Sequence, residues 1–534
     1  MKKKLYQKSL RSVATLIVIM AISLQLGAIG AATKKPNIIF IFSDDHAIGA
    51  IGAYGEGRWK TPHIDRLAKE GMRFDRTFCA NSICTPSRAT VLSGQHSHKN
   101  GVLQLAPHYV FDPARGNVQE LMQKGGYQTA LFGKWHLISP PTGFDEWEIM
   151  TASAGQGTYY NPHMKRSGGR KDYTPQGYAS DVITDLSIDW LERRDKSKPF
   201  ILFSHHKAPH GDWLPNMDKY GNAYKDLLIP EPATMWETFE GRGKGSPSKV
   251  SAHTLSKTWD KGHLMIKPPG GLNQAEIKQW KSIYDEENQA YFKKRKTKTL
   301  SKKEDIRWRF QRLARNYYLT VSSLDDSIGR LLDYLDRSGL NKNTIVIYSS
   351  DQGFFVGDYG WYDKRYMYET SMRMPLIVRW PGVVKPGSVD THLTQNLDFA
   401  QTFLDIAGVD TPDYMQGRSL LPLLKGEQAT SKWRDALYYQ YYGKKWSLPS
   451  HYGVRTDRYK LIRFFDKTRE HWELYDLEND AEELKNEYEN PEFSATRKHL
   501  HMKLDEMRKL YEVPDDTAAI MKAASRRTPP KREK

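Results

Sequence analysis

The stretch Cys84-Thr85-Pro86-Ser87-Arg88, with Leu92-Ser93-Gly94 just after it, sets a thiol and a guanidinium four residues apart in a chain whose only other cysteine is Cys79. A helix beginning near Pro86 is predicted, because proline's fixed φ and missing N–H are tolerated at a helix start. Cys84 then lies just before the helix N-terminus and Arg88 in its first turn. Free backbone N–H groups and the helix dipole make such an end a place to hold an anion. Taken alone, the same residues also read as a buried cysteine beside a surface arginine. In an oxidising compartment Cys79 and Cys84 could be joined as a disulfide.

Other reactive residues collect where apolar runs stop. Asn37 to Phe42 reads as a buried parallel strand and ends in Ser43-Asp44-Asp45-His46. Tyr127 to Phe132 ends in Gly133-Lys134-Trp135-His136, and Pro199 to Phe203 ends in Ser204-His205-His206-Lys207-Ala208-Pro209-His210. Thr344 to Tyr348 ends in Ser349-Ser350-Asp351-Gln352-Gly353. In open α/β sheets ligands bind at the carboxyl ends of strands, so these four ends are candidates to share one site. The adjacent Asp44 and Asp45 repel each other unless a cation or hydrogen bonds compensate. Three histidines near position 205 give zinc little support, since the first two are adjacent and point apart on a strand.

Helices are expected at Thr61 to Glu70, Asn117 to Gln123, Arg309 to Leu335 and Leu397 to Ala407. Short strands are expected from Met72 to Phe78 and from Pro375 to Arg379. The apolar stripe Leu313, Tyr317, Val321, Leu324, Ile328, Leu331 is assigned to the core with no chemistry attached. Between Gly211 and Trp308 clear strands are scarce, and the basic run around Lys293-Lys294-Arg295-Lys296 reads as a solvated face. Past Gly426 four short segments suggest an antiparallel sheet closed by a helix from Pro491 to Tyr511. The fold class is α/β: a large mixed, mostly parallel sheet flanked by helices, with a smaller C-terminal antiparallel sheet and helix. Residues 33–425 and 426–513 form the two parts, and the tail 514–534 is expected to be disordered.

Lys2, Lys3, Lys4, Lys8 and Arg11 precede an apolar run from Val13 to Leu26 and the small residues Gly27 to Ala32. This is the layout of a signal peptide cleaved before Thr33, with an uncleaved anchor as the alternative. Export to the periplasm or medium follows, with no stable membrane insertion after cleavage. The formal charge of +17 falls to +12 once those five basic residues are gone. An exported basic protein is a poor candidate for nucleic acid and a better one for an anionic polymer outside the cytoplasm.

Together these residues resemble the type I, formylglycine-dependent sulfatases of the alkaline-phosphatase superfamily, from Pro36 to about Val513. Cys84-Thr85-Pro86-Ser87-Arg88 fits the family's C-x-P-S-R signature, in which a maturation enzyme oxidises the cysteine to formylglycine. Gly133-Lys134-Trp135-His136 is similarly diagnostic, and Asp363 to Glu369 resembles a segment carrying a further active-site lysine, Lys364. The resemblance implies Ca2+ held by Asp44, Asp45, Asp351, Gln352 and an oxygen on residue 84, hard ligands of the kind calcium takes. The family more often has Asn at the position of Gln352. It further implies that the hydrated aldehyde of residue 84 attacks sulfur and later expels sulfate through its second hydroxyl. Arg88 steadies the ligands and the hydrate, and Lys134 and Lys364 bind sulfate oxygens. His136 orients or deprotonates the hydrate, and His210 protonates the leaving alcohol, with Lys364 as rival for that task.

A phosphonate or phosphate-ester hydrolase of the same superfamily and a non-catalytic binder of sulfated glycan are the competing readings. Basic pairs at Lys165-Arg166 and Arg170-Lys171, and the aromatics Tyr159, Tyr160 and Trp213, favour a sulfated carbohydrate, with rings expected to stack on sugars. The stretch Glu473-Leu474-Tyr475-Asp476-Leu477, with Glu482 and Asn486, also resembles bacterial polysaccharide sulfatases.

Overall fold

A computed structural model describes residues 35–55, 58–105, 109–243, 246, 254–256, 263–427, 433–443, 448–465 and 470–515, apart from the side chains of 153–154. The leader 1–32 with its cleavage point, and the tail from 516 onward, lie outside the described residues.

The large sheet is built outward from β1 (Asn37–Ser43), which is flanked on both sides by parallel strands, β7 (Phe200–His205) and β8 (Thr344–Ser350). Beyond β7 come β4 (Gln128–Gly133) and β5 (Glu146–Met150), both parallel, and the antiparallel edge β6 (Met164–Arg166). Beyond β8 come β11 (Leu376–Arg379), antiparallel, then β2 (Met72–Phe74) and β12 (Ser388–Asp390). The nine-stranded order is β12-β2-β11-β8-β1-β7-β4-β5-β6, the mixed, mostly parallel sheet expected.

Alternation along β1 explains its unbroken apolar run. Ile38, Phe40 and Phe42 face one core, and Ile39 and Ile41 face a second on the opposite side of the sheet. The first core packs against α2 (Cys84–Ser93), α3 (Val118–Lys124) and α7 (Asp398–Ala407). The second packs against α1 (Pro62–Glu70), α4 (Ala179–Arg193) and the long α6 (Lys302–Ser338). Before α6 runs α5 (Gln274–Lys296), a 23-residue helix that the sequence reading left out. Its residues are mostly charged or polar, and an Asn273–Glu276 capping box starts it. The basic run Lys293 to Lys296 is its exposed last turn.

The C-terminal sheet is a meander of β14 (Ala436–Tyr441), β15 (Ser450–Thr456), β16 (Tyr459–Phe465) and β17 (Glu470–Asp476), covered by α8 (Ser494–Leu510). It belongs to the same compact unit as the large sheet, from Asn37 onward. Two short pairings complete the strands: β3 (Thr77–Phe78) with β13 (Thr394–Gln395), and β9 (Phe355–Val356) with β10 (Tyr362–Asp363).

Buried charges tie the C-terminal sheet to the rest. Glu473 accepts hydrogen bonds from Ser246 (2.6 Å), Tyr368 (2.7 Å) and Tyr475 (2.8 Å). Lys460 Nζ lies 2.6 Å from Glu483 and 2.8 Å from Glu369, which also pairs with Arg455 at 3.1 Å. The buried Arg242 guanidinium lies 4.5 Å from the ring centre of Tyr359 and 4.3 Å from that of Tyr368, a cation–π contact on each side chain. Among the described residues no helix is long and apolar enough to cross a membrane.

Candidate active site

The carboxyl ends of β1 and β8 meet because their register pairs Ser43 with Ser350. The next residues on each strand are therefore neighbours, and Asp44, Asp45, Asp351 and Gln352 are all fully buried. The Asp45 amide donates to Asp351 Oδ1 (3.1 Å) and the His46 amide to Ser350 Oγ (2.9 Å). Asp45 itself is in the left-handed region, φ 64°. A residue assigned only to the core holds that turn: the Tyr317 hydroxyl donates to the Asp45 carbonyl (2.7 Å) and accepts from the Ala47 amide (2.8 Å). An apolar stripe at helical spacing hides such a role, because the tyrosine ring packs like its neighbours.

The helix carrying Cys84 begins two residues earlier than predicted. Ile83 is the cap residue with extended backbone (φ −157°, ψ 141°), and the Ser87 amide donates to the Ile83 carbonyl at 2.9 Å. Cys84 is therefore the first residue of α2, and Arg88 lies in its second turn. Pro86 falls at the third position, where its missing N–H is one of the four left unpaired at any helix start. The guanidinium of Arg88 is buried over the Phe42 ring and joins three strand ends. It donates to Asp351 Oδ2 (3.1 Å), the Lys134 carbonyl (3.2 Å) and the Ser43 carbonyl (3.4 Å). The Ser87 hydroxyl donates to the Asp351 carbonyl, which fixes α2 to β8.

Lys134 enters from the end of β4, where Gly133 has φ 108° and a Cβ would stand 1.9 Å from the His205 carbonyl oxygen. No larger residue fits there. The Lys134 ammonium contacts Asp44 Oδ2 and lies 3.5 Å from the Gln156 amide oxygen. Lys364 Nζ donates to Asp45 Oδ2 at 2.5 Å, and its neighbours Asp363 (φ 101°) and Arg365 (φ 93°) both hold positive φ. His136 also has positive φ, 56°, and is buried with Nδ1 unpartnered among the described residues. His210 Nε2 lies 3.7 Å from Asp45 Oδ2, and Nδ1 lies 2.7 Å from the Gly211 carbonyl. Strained backbone at so many neighbouring positions is the pattern of a site held in place by its surroundings.

Ligand atoms of Asp44, Asp45 and Asp351 lie within 4.8 Å of one another, and so do those of Asp44, Cys84 and His210. Gln352 Nε2 donates to Asp45 Oδ1 (2.5 Å) and to Cys84 Sγ (3.7 Å). Asp44 Oδ1 and Gln352 Oε1 are buried without a hydrogen-bond partner among the described residues. Unpaired oxygens and three converging, buried carboxylates fit a hard divalent cation. Burial pushes the Asp45 carboxyl up to about 6; Lys364 opposes this and the Asp351 charge adds to it. Burial likewise pushes the Cys84 thiol up to about 12, so as an unmodified cysteine it keeps its proton at neutral pH and is a weak nucleophile.

All ten predicted site residues thus lie at this one centre. Cys79 and Cys84 are both free and buried, which removes the disulfide reading. The expectation that Tyr159, Tyr160 and Trp213 offer faces to sugars is corrected: all three are buried. Trp213 is enclosed by His263, Tyr317, Phe354 and Tyr362, and tertiary packing claims the rings that composition had assigned to a ligand. Gln156, beside Lys134, was missed, since an isolated loop glutamine carries no periodic or motif signal.

A family model described as Sulfatase matches residues 36–409, and one described as N-sulphoglucosamine sulphohydrolase, C-terminal, matches residues 357–510. An N-acetylglucosamine-6-O-sulfatase of Bacteroides thetaiotaomicron is 42% identical over 510 residues, 93% of this chain and 90% of that protein. A protein solved in complex with its substrate D-glucosamine-2-N,6-O-disulfate superposes with TM-score 0.85 at 39% identity, over 91% of this chain and 99% of the other. A phosphonate monoester hydrolase of Agrobacterium radiobacter superposes with TM-score 0.66 at 20% identity, over 89% and 96% of the two chains, a likeness of fold alone. Matched over most of its length in sequence and in structure, the chain belongs to the sulfatase family.

Proposed function

We propose that the protein removes 6-O-sulfate from glucosamine residues of a sulfated glycan outside the cytoplasm, after a maturation enzyme has converted Cys84 to formylglycine. The observation that carries the chemistry is the buried basin of Asp44, Asp45, Asp351 and Gln352 around residue 84, with Lys134, Lys364 and Arg88 closing it. The sugar rests on the relative at 42% identity that acts at position 6 of N-acetylglucosamine. Calcium is the ion assigned, because the donors are carboxylate and carbonyl oxygens and magnesium prefers to keep its waters.

When present, the formylglycine hydrate supplies one hydroxyl to attack sulfur and a second to release sulfate, and the cation supplies fixed positive charge beside them. The chain's own residues do the rest. Arg88 holds Asp351 and two strand-end carbonyls in a planar fork, so the ligand set is fixed before substrate arrives. Lys134 and Lys364, paired with Asp44 and Asp45, are placed to turn toward sulfate oxygens once a cation takes over those carboxylates. His136 orients the hydrate or takes its proton. His210 protonates the leaving sugar oxygen through Nε2, because its Nδ1 is committed to the Gly211 carbonyl. Lys364 is the rival for that acid role, its ammonium lying 2.5 Å from the same Asp45 oxygen that His210 Nε2 faces.

The test is desulfation of a panel: 6-sulfated N-acetylglucosamine, 6-sulfated N-sulfoglucosamine, the galactosamine 6-sulfate isomer, 2-O-sulfated uronate disaccharides and matched phosphate esters. Turnover of the two glucosamine substrates and of no other is expected. Preference for the galactose configuration or for another sulfate position sinks the sugar assignment. Exhaustive chelation should abolish activity, with recovery on Ca2+ and not on Mg2+; recovery on Mg2+ alone overturns the choice of ion.

A further inference from the structure

The loop Lys207 to Gly211 contains a lysine to which the mechanism gives no task. Lys207 is buried at 5% exposure, with Nζ 5.0 Å from the centre of the Tyr159 ring and 3.0 Å from the Gly211 carbonyl oxygen. That same carbonyl faces His210 Nδ1 at 2.7 Å. The adjacent carbonyl, of His210 itself, accepts the Tyr159 hydroxyl, and the His210 amide donates to the Lys207 carbonyl at 2.9 Å. From the far side the His263 ring closes in, so tightly that a Cβ on Gly211 would stand 2.6 Å from its Nε2. Both carbonyls of the His210–Gly211 segment are therefore gripped by side chains that are themselves stacked on each other.

The consequence falls on the imidazole. A ring nitrogen that faces a carbonyl must carry a hydrogen, so Nδ1 keeps its hydrogen in the neutral ring and in the imidazolium alike. Nε2, turned toward Asp45 Oδ2 3.7 Å away, is the nitrogen that takes up and gives away the exchangeable proton. Its direction is set by where the Gly211 carbonyl points, and that carbonyl is held by Lys207. We propose that Lys207, with Tyr159, is a positioning residue for His210, clamping the His210–Gly211 segment so that Nε2 faces the reacting oxygen. The proposal rests on the reading of His210 as proton donor to the leaving alcohol.

A double-mutant cycle on the mature, metal-loaded enzyme tests it, with 6-sulfated N-acetylglucosamine as substrate. Lys207→Met keeps the stem over Tyr159 and should lower kcat by about 10²-fold, the cost of a slightly misplaced catalytic group, with KM little changed. Lys207→Arg keeps a cationic donor and should recover most of the loss. Tyr159→Phe removes only the hydroxyl and should show a smaller loss of the same kind. In a His210→Ala background Lys207→Met should cost nothing further, because its effect runs through the missing ring. A crystal structure of Lys207→Met should show the imidazole turned from Asp45. Losses that multiply in the double variant, or a raised KM at unchanged kcat, overturn the proposal and make Lys207 a direct substrate contact. An imidazole left in place in that structure also overturns it. Wild-type kcat in His210→Ala removes the role given to His210, and this inference with it, while leaving the sulfatase assignment intact.

Discussion

Two buried clusters of charge differ in how completely they are satisfied. At the carboxyl ends of β1 and β8, three aspartates face Arg88, Lys134 and Lys364, yet Asp44 Oδ1 and Gln352 Oε1 have no partner among the described residues. Under the C-terminal sheet, Glu473 accepts three hydroxyl donors, while Lys460 and Arg455 share Glu369, with Glu483 completing the Lys460 pairing. In the second cluster every carboxylate acceptor is met, while the Arg242 guanidinium leaves Nη1 and Nη2 to aromatic faces rather than to acceptors, and the cluster acts as a staple. The first has capacity left over, and a buried acceptor without a donor is tolerated where a ligand is to come. The number of buried charges does not separate a site from a staple; unmet acceptor oxygens do.

The comparison is broken most severely at residue 84. Cys84→Ala should lower kcat/KM by about 10⁴-fold or more, as loss of a nucleophile does, with the melting temperature little changed. If the purified Cys84→Ala protein keeps its turnover, the centre described above is not where the reaction occurs. Lys134→Met and Lys364→Met should each cost about 10²–10³-fold in kcat, the range for one charge-stabilising donor. These losses should appear in steady-state rates at saturating substrate, and a change confined to KM would show that the lysine only binds.

Glu473→Gln attacks the staple and should act on stability alone, by about 3 kcal/mol, because it leaves donors and the Arg242 charge without their anion. Burial pushes the Glu473 carboxyl up, but His471, the Arg242 charge and the hydroxyls of Ser246 and Tyr368 together hold it below the usual carboxylate range. A depressed acid contributes stability fully above its unfolded pKa, roughly 4.3, and loses that contribution as the pH falls through the folded value. The gap in melting temperature between wild type and Glu473→Gln should therefore be widest near neutral pH and should narrow in acid. A gap that grows on acidification, or kcat lost with stability retained, would erase the distinction between the clusters.

Much of the centre was legible because parallel strands buried on both faces must be continuously apolar, so the polar residue ending each run stands out. Ile38 to Phe42 followed by Asp44-Asp45, and Ile345 to Tyr348 followed by Asp351-Gln352, carry that signal, although an Asp-Asp pair by itself also reads as a solvated turn. Which strands lie side by side was not written there, and it is the β1–β8 register that brings the two acid pairs together. Tyr317 and Lys207 escaped for opposite reasons. One sits in a stripe whose spacing already had an explanation, and the other in a loop where only three-dimensional contacts distinguish a clamp from a surface lysine. The Trp213 and Tyr159 rings misled because aromatic content does not say which face a fold will cover.

The pairing of β1 with β8 also sets an order in time. Asp45 and Asp351 are separated by 306 residues, so this contact closes a loop of more than half the chain. Closing it costs little more entropy than a loop half as long, but such distant pairing is slow to find. A chain emerging from the ribosome carries Asp44 and Asp45 long before their partner strand exists, and these two carboxylates stay unpaired by Asp351 until about two-thirds of the protein has been made. Any truncation upstream of β8 removes Asp351, Gln352 and Lys364 from the buried cluster and leaves Asp44 and Asp45 without them, however well the first strands and helices have folded.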